Sequence, residues 1–150
     1  MKTARSFAAL SAALTGFRTV DLWGTGQVDV YLDELIATVG EDVVARLLAA
    51  GDEALVSSDP KKALGALLAD DELGPVGRNV IVLWYSGAWR PLPGTWRNRY
   101  GASTLDVARV ISPASYRSGL VWQAIGAHPK GANGPGFASW ANPPTVPGAG

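Results

Sequence analysis

His128 is the only histidine in a chain that has no cysteine. Those two counts set narrow limits on chemistry. Without thiols there is no disulfide, no cysteine nucleophile and no cysteine-held zinc or iron–sulfur site. A single imidazole also lacks a partner at the i, i+4 spacing of a helical zinc site. A nucleophilic triad would need His128, a hydroxyl and an acid. No G-x-S-x-G turn is present, and the only carboxylate side chain between residues 75 and 150 is Asp106. The reading that follows is that Ala127-His128-Pro129 shapes a turn and hydrogen-bonds to backbone or to a partner. The rival reading is a stand-alone enzyme that uses His128 with Asp106 or Tyr116.

Two glycine-rich stretches invite a phosphate-binding reading, GTG at 24–26 and GANGPG at 131–136. Neither has the GK[ST] ending of a P-loop or the G-x-G-x-x-G spacing that leads into a helix. They read as turns. Asp70, Asp71 and Glu72 form a carboxylate run, but it sits beside a helix end and reads as a solvated face rather than an acid–base pair. The residues that remain unexplained are aromatic: Trp84, Tyr85, Trp89, Trp96, Trp122, Phe137 and Trp140. Each such ring buries roughly 150–250 Å² when it packs, and Trp, Tyr and Arg are enriched among interface anchors. Trp84, on a segment read as a buried helix, reads first as core packing. Trp89, Trp96, Phe137 and Trp140 fall in stretches that read as loops unable to form a core, which points to another protein.

The elements that must position these rings read as helices. The 150 residues suit one domain, and 47% hydrophobic content suffices for a core. Residues 6–15 read as a short helix stopped by Gly16, followed by a loop, FRTVDLWGTGQ. Residues 29–39 carry Tyr31, Leu32, Leu35, Ile36 and Val39 on one stripe. A helix from Glu41 to Ala50 reads as closed by Gly51. Asp59 and Pro60 have the N-cap and first-position chemistry of another. Residues 76–86, around VIVLWY, read as a buried helix because no neighbouring segment offers a second strand. RPLPGTWRNRYGASTLDVARVI reads as mostly loop. Ser112 and Pro113 start a last helix that ends at Gly126. The remainder, 127–150, has many Gly and Pro and no periodicity, yet holds Phe137 and Trp140. It reads as an extended segment that lies on something else. The fold class expected is therefore mostly α: a small irregular helical domain, 1–126, with a long extended Gly/Pro/aromatic docking segment, 127–150.

Charge is divided along the chain. Residues 1–74 hold six Lys/Arg and twelve Asp/Glu, whereas 75–150 hold seven Lys/Arg and one Asp. Five of the six tryptophans and nine of the ten prolines lie in the second part. Either the halves compensate each other on packing, or the basic, aromatic half faces a large partner. The basic residues are dispersed and no recognition motif accompanies them, so a nucleic-acid partner is not expected. The longest apolar run, Val80 to Tyr85, is far short of the ~20 residues of a membrane-spanning helix. MKTARSFAALSAALTGF reads as a first helix rather than as a cleaved signal.

The stretches FAALSAALTGF, DLWGTGQVDVYLDEL, VIVLWYSGAW, SYRSGLVWQAIGAHPKG and PGFASW together resemble the small subunit of bacterial FAD-dependent sugar and polyol dehydrogenases, the sorbitol, fructose and glucose dehydrogenase type. The resemblance runs from about residue 6 to 143. It implies a helical, non-catalytic subunit with no cofactor of its own. Such a subunit binds a large FAD-carrying catalytic subunit of the glucose-methanol-choline class and is needed for its maturation. Many such complexes pass electrons to a c-type cytochrome subunit at the cytoplasmic membrane. The docking residues expected on this reading are Trp84, Tyr85, Trp89, Trp96, His128, Pro129, Phe137 and Trp140. A transient folding or export chaperone for the large subunit is the further alternative. The family's small subunits often supply a twin-arginine signal, whereas this chain has Arg5 alone. The resemblance implies a periplasmic complex, or a cytoplasmic one if no export signal was removed.

Overall fold

The computed structural model describes residues 2–124, and among them the fold is mostly α-helical. Helix α1 (Lys2–Thr15) ends at Gly16, whose φ of 81° suits a residue without Cβ. Helix α2 (Thr19–Gly24) lies inside the stretch expected to be loop. Its cause is local: Arg18 Nε and Nη2 pair with the Asp21 carboxylate at 3.0 and 3.1 Å, and Leu22 is fully buried. The Arg18 guanidinium holds the Asp21 carboxyl below its usual range. Helix α3 (Val28–Val39) buries the expected stripe of Tyr31, Leu32, Leu35 and Val39.

Helix α4 (Glu41–Leu55) runs past the stop expected at Gly51. Gly51 is buried, and a Cβ there would sit 3.0 Å from Leu10 Cδ1. The glycine thus serves a close approach of α1 to α4 rather than a helix end. Helix α5 (Pro60–Ala69) starts as expected, with the Asp59 carboxylate accepting the Lys62 N–H at 3.2 Å. Asp70 opens the next helix by accepting from the Glu72 and Leu73 N–H groups at 2.9 and 2.7 Å. That helix, α6 (Leu73–Ser86), contains the segment expected to be a buried helix and ends at Gly87 in the left-handed conformation.

The stretch after α6 is more ordered than a loop. Strand β1 (Ala88–Trp89) pairs antiparallel with β2 (Arg109–Val110), and helix α7 (Gly94–Tyr100) lies between them. The Ser112 hydroxyl caps α8 (Pro113–Arg117) by accepting the Ser115 N–H at 3.0 Å. The last helix breaks at Ser118–Gly119 and resumes as α9 (Leu120–Ala124). A Cβ on Gly119 would lie 2.7 Å from the Tyr85 carbonyl oxygen, so the chain crosses the end of α6 at backbone contact.

Trp84 occupies the centre of the core. Its ring meets Tyr31 edge-on at 4.8 Å and stacks on Phe7 at 6.3 Å, joining α6 to α3 and α1. Burial of the Tyr31 phenol pushes its pKa up to about 12. The Arg109–Glu34 ion pair, 2.7 Å, ties the basic half of the chain to the acidic half.

Candidate protein-binding surface

The aromatic residues divide by what their polar edges and faces touch. Trp84, Trp89 and Trp96 are 0%, 1% and 3% exposed. Trp89 and Trp96 come from stretches read as loops that cannot form a core, and here the structure corrects the reading: both are core residues. The reason is long-range hydrogen bonding that makes burial of an indole tolerable. Trp89 Nε1 donates to Asp106 Oδ1 at 2.8 Å, and Trp96 Nε1 donates to the Glu72 carbonyl at 2.8 Å. These three rings are occupied by the chain's own interior and offer no free face to a second protein. Tyr85 is half-buried; its hydroxyl donates to the Thr15 carbonyl at 3.1 Å, and its ring meets Phe17 edge-on at 5.9 Å. Trp122 packs edge-on against Tyr116 and donates to the Tyr116 carbonyl. His128, Pro129, Phe137 and Trp140 lie outside the described residues.

Asp106, the carboxylate offered as a partner for His128, has a structural position. It is 2% exposed. Its Oδ1 accepts from both Trp89 Nε1 and the Leu92 N–H, at 2.8 and 2.9 Å. Its Oδ2 lies 3.5 Å from Arg97 Nε. One carboxylate therefore fastens the segment after β1 to the segment before β2. Among the described residues no cluster of three or more Asp, Glu or His is placed to hold a metal ion. The acidic run at 70–72 is also accounted for. Asp70 caps α6, and Glu72 forms a two-pronged pair with Arg46 at 2.9 and 3.0 Å.

Trp23, which the sequence reading passed over, is 43% exposed. Val20 on the same short helix and Val30 at the start of α3 are exposed with it. A second exposed set, Leu105, Val107 and Val110, runs beside α3. A ladder of contacts lays residues 103–115 antiparallel along that helix. The Ser103 N–H donates to the Thr38 carbonyl, Arg109 pairs with Glu34, and the Ser115 hydroxyl donates to Gln27 Oε1 at 2.6 Å. Val30 flanks the Gln27–Tyr31–Glu34–Thr38 stripe that this ladder uses. The arrangement brings six exposed large apolar side chains to α2, α3 and the segment bound along α3. Scattered exposed apolar residues are ordinary, but an exposed indole with aliphatic neighbours has the composition of a protein contact. The signal available in the sequence was that a six-residue helix which buries Leu22 has little hidden surface left for the neighbouring Trp23.

Comparison of the chain with protein-family models, with curated proteins and with solved structures finds no match.

Proposed function

We propose that this chain is a non-catalytic small subunit that binds and stabilises a large FAD-carrying dehydrogenase of the glucose-methanol-choline class and aids its maturation. The structural observation that supports a binding role is the exposed Trp23 with Val20 three residues before it on α2. The identity of the partner rests on the five resembling sequence stretches, VIVLWYSGAW and SYRSGLVWQAIGAHPKG above all. On this reading the flavin and the sugar or alcohol substrate belong to the partner, which takes hydride from the substrate. This chain supplies apolar surface, and its tail, with Phe137 and Trp140, supplies a second set of anchors. The complex belongs to the periplasmic side of the cytoplasmic membrane, with electrons passing on to a c-type cytochrome.

The test is co-expression with a large FAD-binding oxidoreductase of the glucose-methanol-choline class from the same genome, with an affinity tag on this chain. A stoichiometric, flavin-coloured complex is expected. Trp23→Ala should weaken it at least tenfold, which corresponds to about 1.4 kcal/mol. Trp140→Ala in parallel separates the contribution of the tail. A large subunit that matures, binds flavin and turns over equally well without this chain would refute the proposal. Retention of this chain in the active complex separates a permanent subunit from a chaperone that leaves.

A further inference from the structure

A cleft of about 270 Å³ opens between the start of α6 and α7, lined by Asp71, Pro75, Pro93, Trp96, Arg99 and Tyr100, with Thr95 at its edge. Its floor is rigid. The Trp96 ring is held by its bond to the Glu72 carbonyl and packs on Tyr100 with ring centres 5.2 Å apart. The Arg99 guanidinium lies 5.4 Å from the centre of the Tyr100 ring, and no hydrogen bond or ion pair engages it among the described residues. A tyrosine ring beside prolines, with a hydrogen-bond donor and an acceptor on the rim, is what an extended polyproline II segment docks against.

We infer that the occupant is residues 143–147 of this same chain, Pro-Pro-Thr-Val-Pro. They contain the sequence's one P-x-x-P spacing, Pro144 to Pro147. Polyproline II has three residues per turn, so these two prolines share an edge and can seat together against the half-buried Tyr100 ring and the exposed Pro93. Such a helix makes no internal hydrogen bonds, which leaves its carbonyls for Arg99 and the Thr145 and Val146 N–H groups for Asp71. Residues 131–150 carry no charged side chain, so neither rim charge is opposed. Reach is ample. The chain leaves the described domain at Ala124, at the α9 that follows the Gly119–Tyr85 contact at the far end of α6. The cleft is at the near end, and the 14 residues of α6 span about 21 Å. The stretch from Ala124 to Pro143 extends to about 60 Å. Docked this way, the tail is tied at both ends and holds Phe137 and Trp140 in a closed loop. The inference concerns this chain alone and stands whether or not the flavoprotein partner is correct.

The experiment is NMR on the isolated full-length chain. The double substitution Pro144→Ala, Pro147→Ala should shift the amide signals of residues 71–74 and 94–100 and the Tyr100 ring signals. It should also speed amide hydrogen exchange in α7 several-fold, and both effects should persist on tenfold dilution. Thr95→Arg, which obstructs the cleft without touching its floor, should shift the Val146 methyl signals. Cleft signals that do not respond to the proline substitutions would overturn the inference. So would a response that disappears on dilution, since a second copy would then be the source of the segment.

Discussion

Replacing Asp106 by alanine tests whether this carboxylate holds the fold or serves a reaction. Its Oδ1 accepts from both Trp89 Nε1 and the Leu92 N–H in a buried setting. Truncation to a methyl leaves two buried donors without partners. Each costs about 1–3 kcal/mol, and the small cavity adds to that, so about 3–5 kcal/mol is expected for Asp106→Ala. The amide of an Asp106→Asn variant would still present a carbonyl oxygen to both donors. That variant loses the charge assistance of two hydrogen bonds and the contact with Arg97. The Arg97 contact is 3.5 Å long and reaches a half-exposed guanidinium, and is worth little. A cost of roughly 1–2 kcal/mol follows for Asp106→Asn. Against a total stability of about 5–15 kcal/mol, the alanine variant should approach the edge of folding and the asparagine variant should not. Urea unfolding followed by tryptophan fluorescence measures both. Adding Trp89→Phe to each closes a double-mutant cycle. The indole donor is then already absent, and the cost of Asp106→Ala should fall by about 1 kcal/mol or more. Equal costs for the two variants, or no coupling to Trp89→Phe, would refute the hydrogen-bond reasoning.

Two glycines should respond in opposite directions. Gly87 has φ of 71°, and a Cβ there would collide with the Ser115 backbone carbonyl, so Gly87→Ala should cost about 3 kcal/mol or more in the same unfolding assay. Gly65 lies inside α5 with open space around its Cβ direction, so Gly65→Ala should raise stability by about 0.5–1 kcal/mol. Tyr31 sets an alkaline limit. Its folded pKa is raised to about 12 from 10.0, so the unfolded chain releases this proton first as pH rises. The contribution is intact below about pH 10 and is lost between about 10 and 12, about 2–3 kcal/mol in all. Tyr31→Phe should remove that slope from a plot of stability against pH, and an unchanged slope would show that other groups cause it.

The sequence stated local matters well. Asp59-Pro60 and Ser112-Pro113 start helices because the cap and the missing N–H act within three residues. The Tyr31–Leu35–Val39 stripe is legible because one helix face repeats every 3.6 residues. A run such as VIVLWY has no such periodicity, and only the lack of a neighbouring strand argued for the helix that α6 proves to be. Where glycine was read as a stop, its meaning depended on what lay opposite. Gly16 and Gly40 end helices in open space, whereas Gly51 stands against Leu10 from another helix. That neighbour is far back along the chain and leaves no mark on the local sequence.

The candidate surface was the least legible part, for the same reason. Composition by itself determined a helical, cysteine-free domain with one histidine and an excess of rings after residue 75. Only the tertiary structure decided which rings are spent on the interior. Trp89 is sealed by an acceptor 17 residues on, and Trp96 by a carbonyl 24 residues back. Trp84 is buried with no partner for its Nε1 among the described residues, held instead by its contacts with Tyr31 and Phe7, whereas Trp23 stays at the surface. Local sequence encodes helix propensity and capping because those interactions span a few residues. Burial is settled by hydrogen bonds and contacts between distant segments, which exist only once the chain has closed on itself.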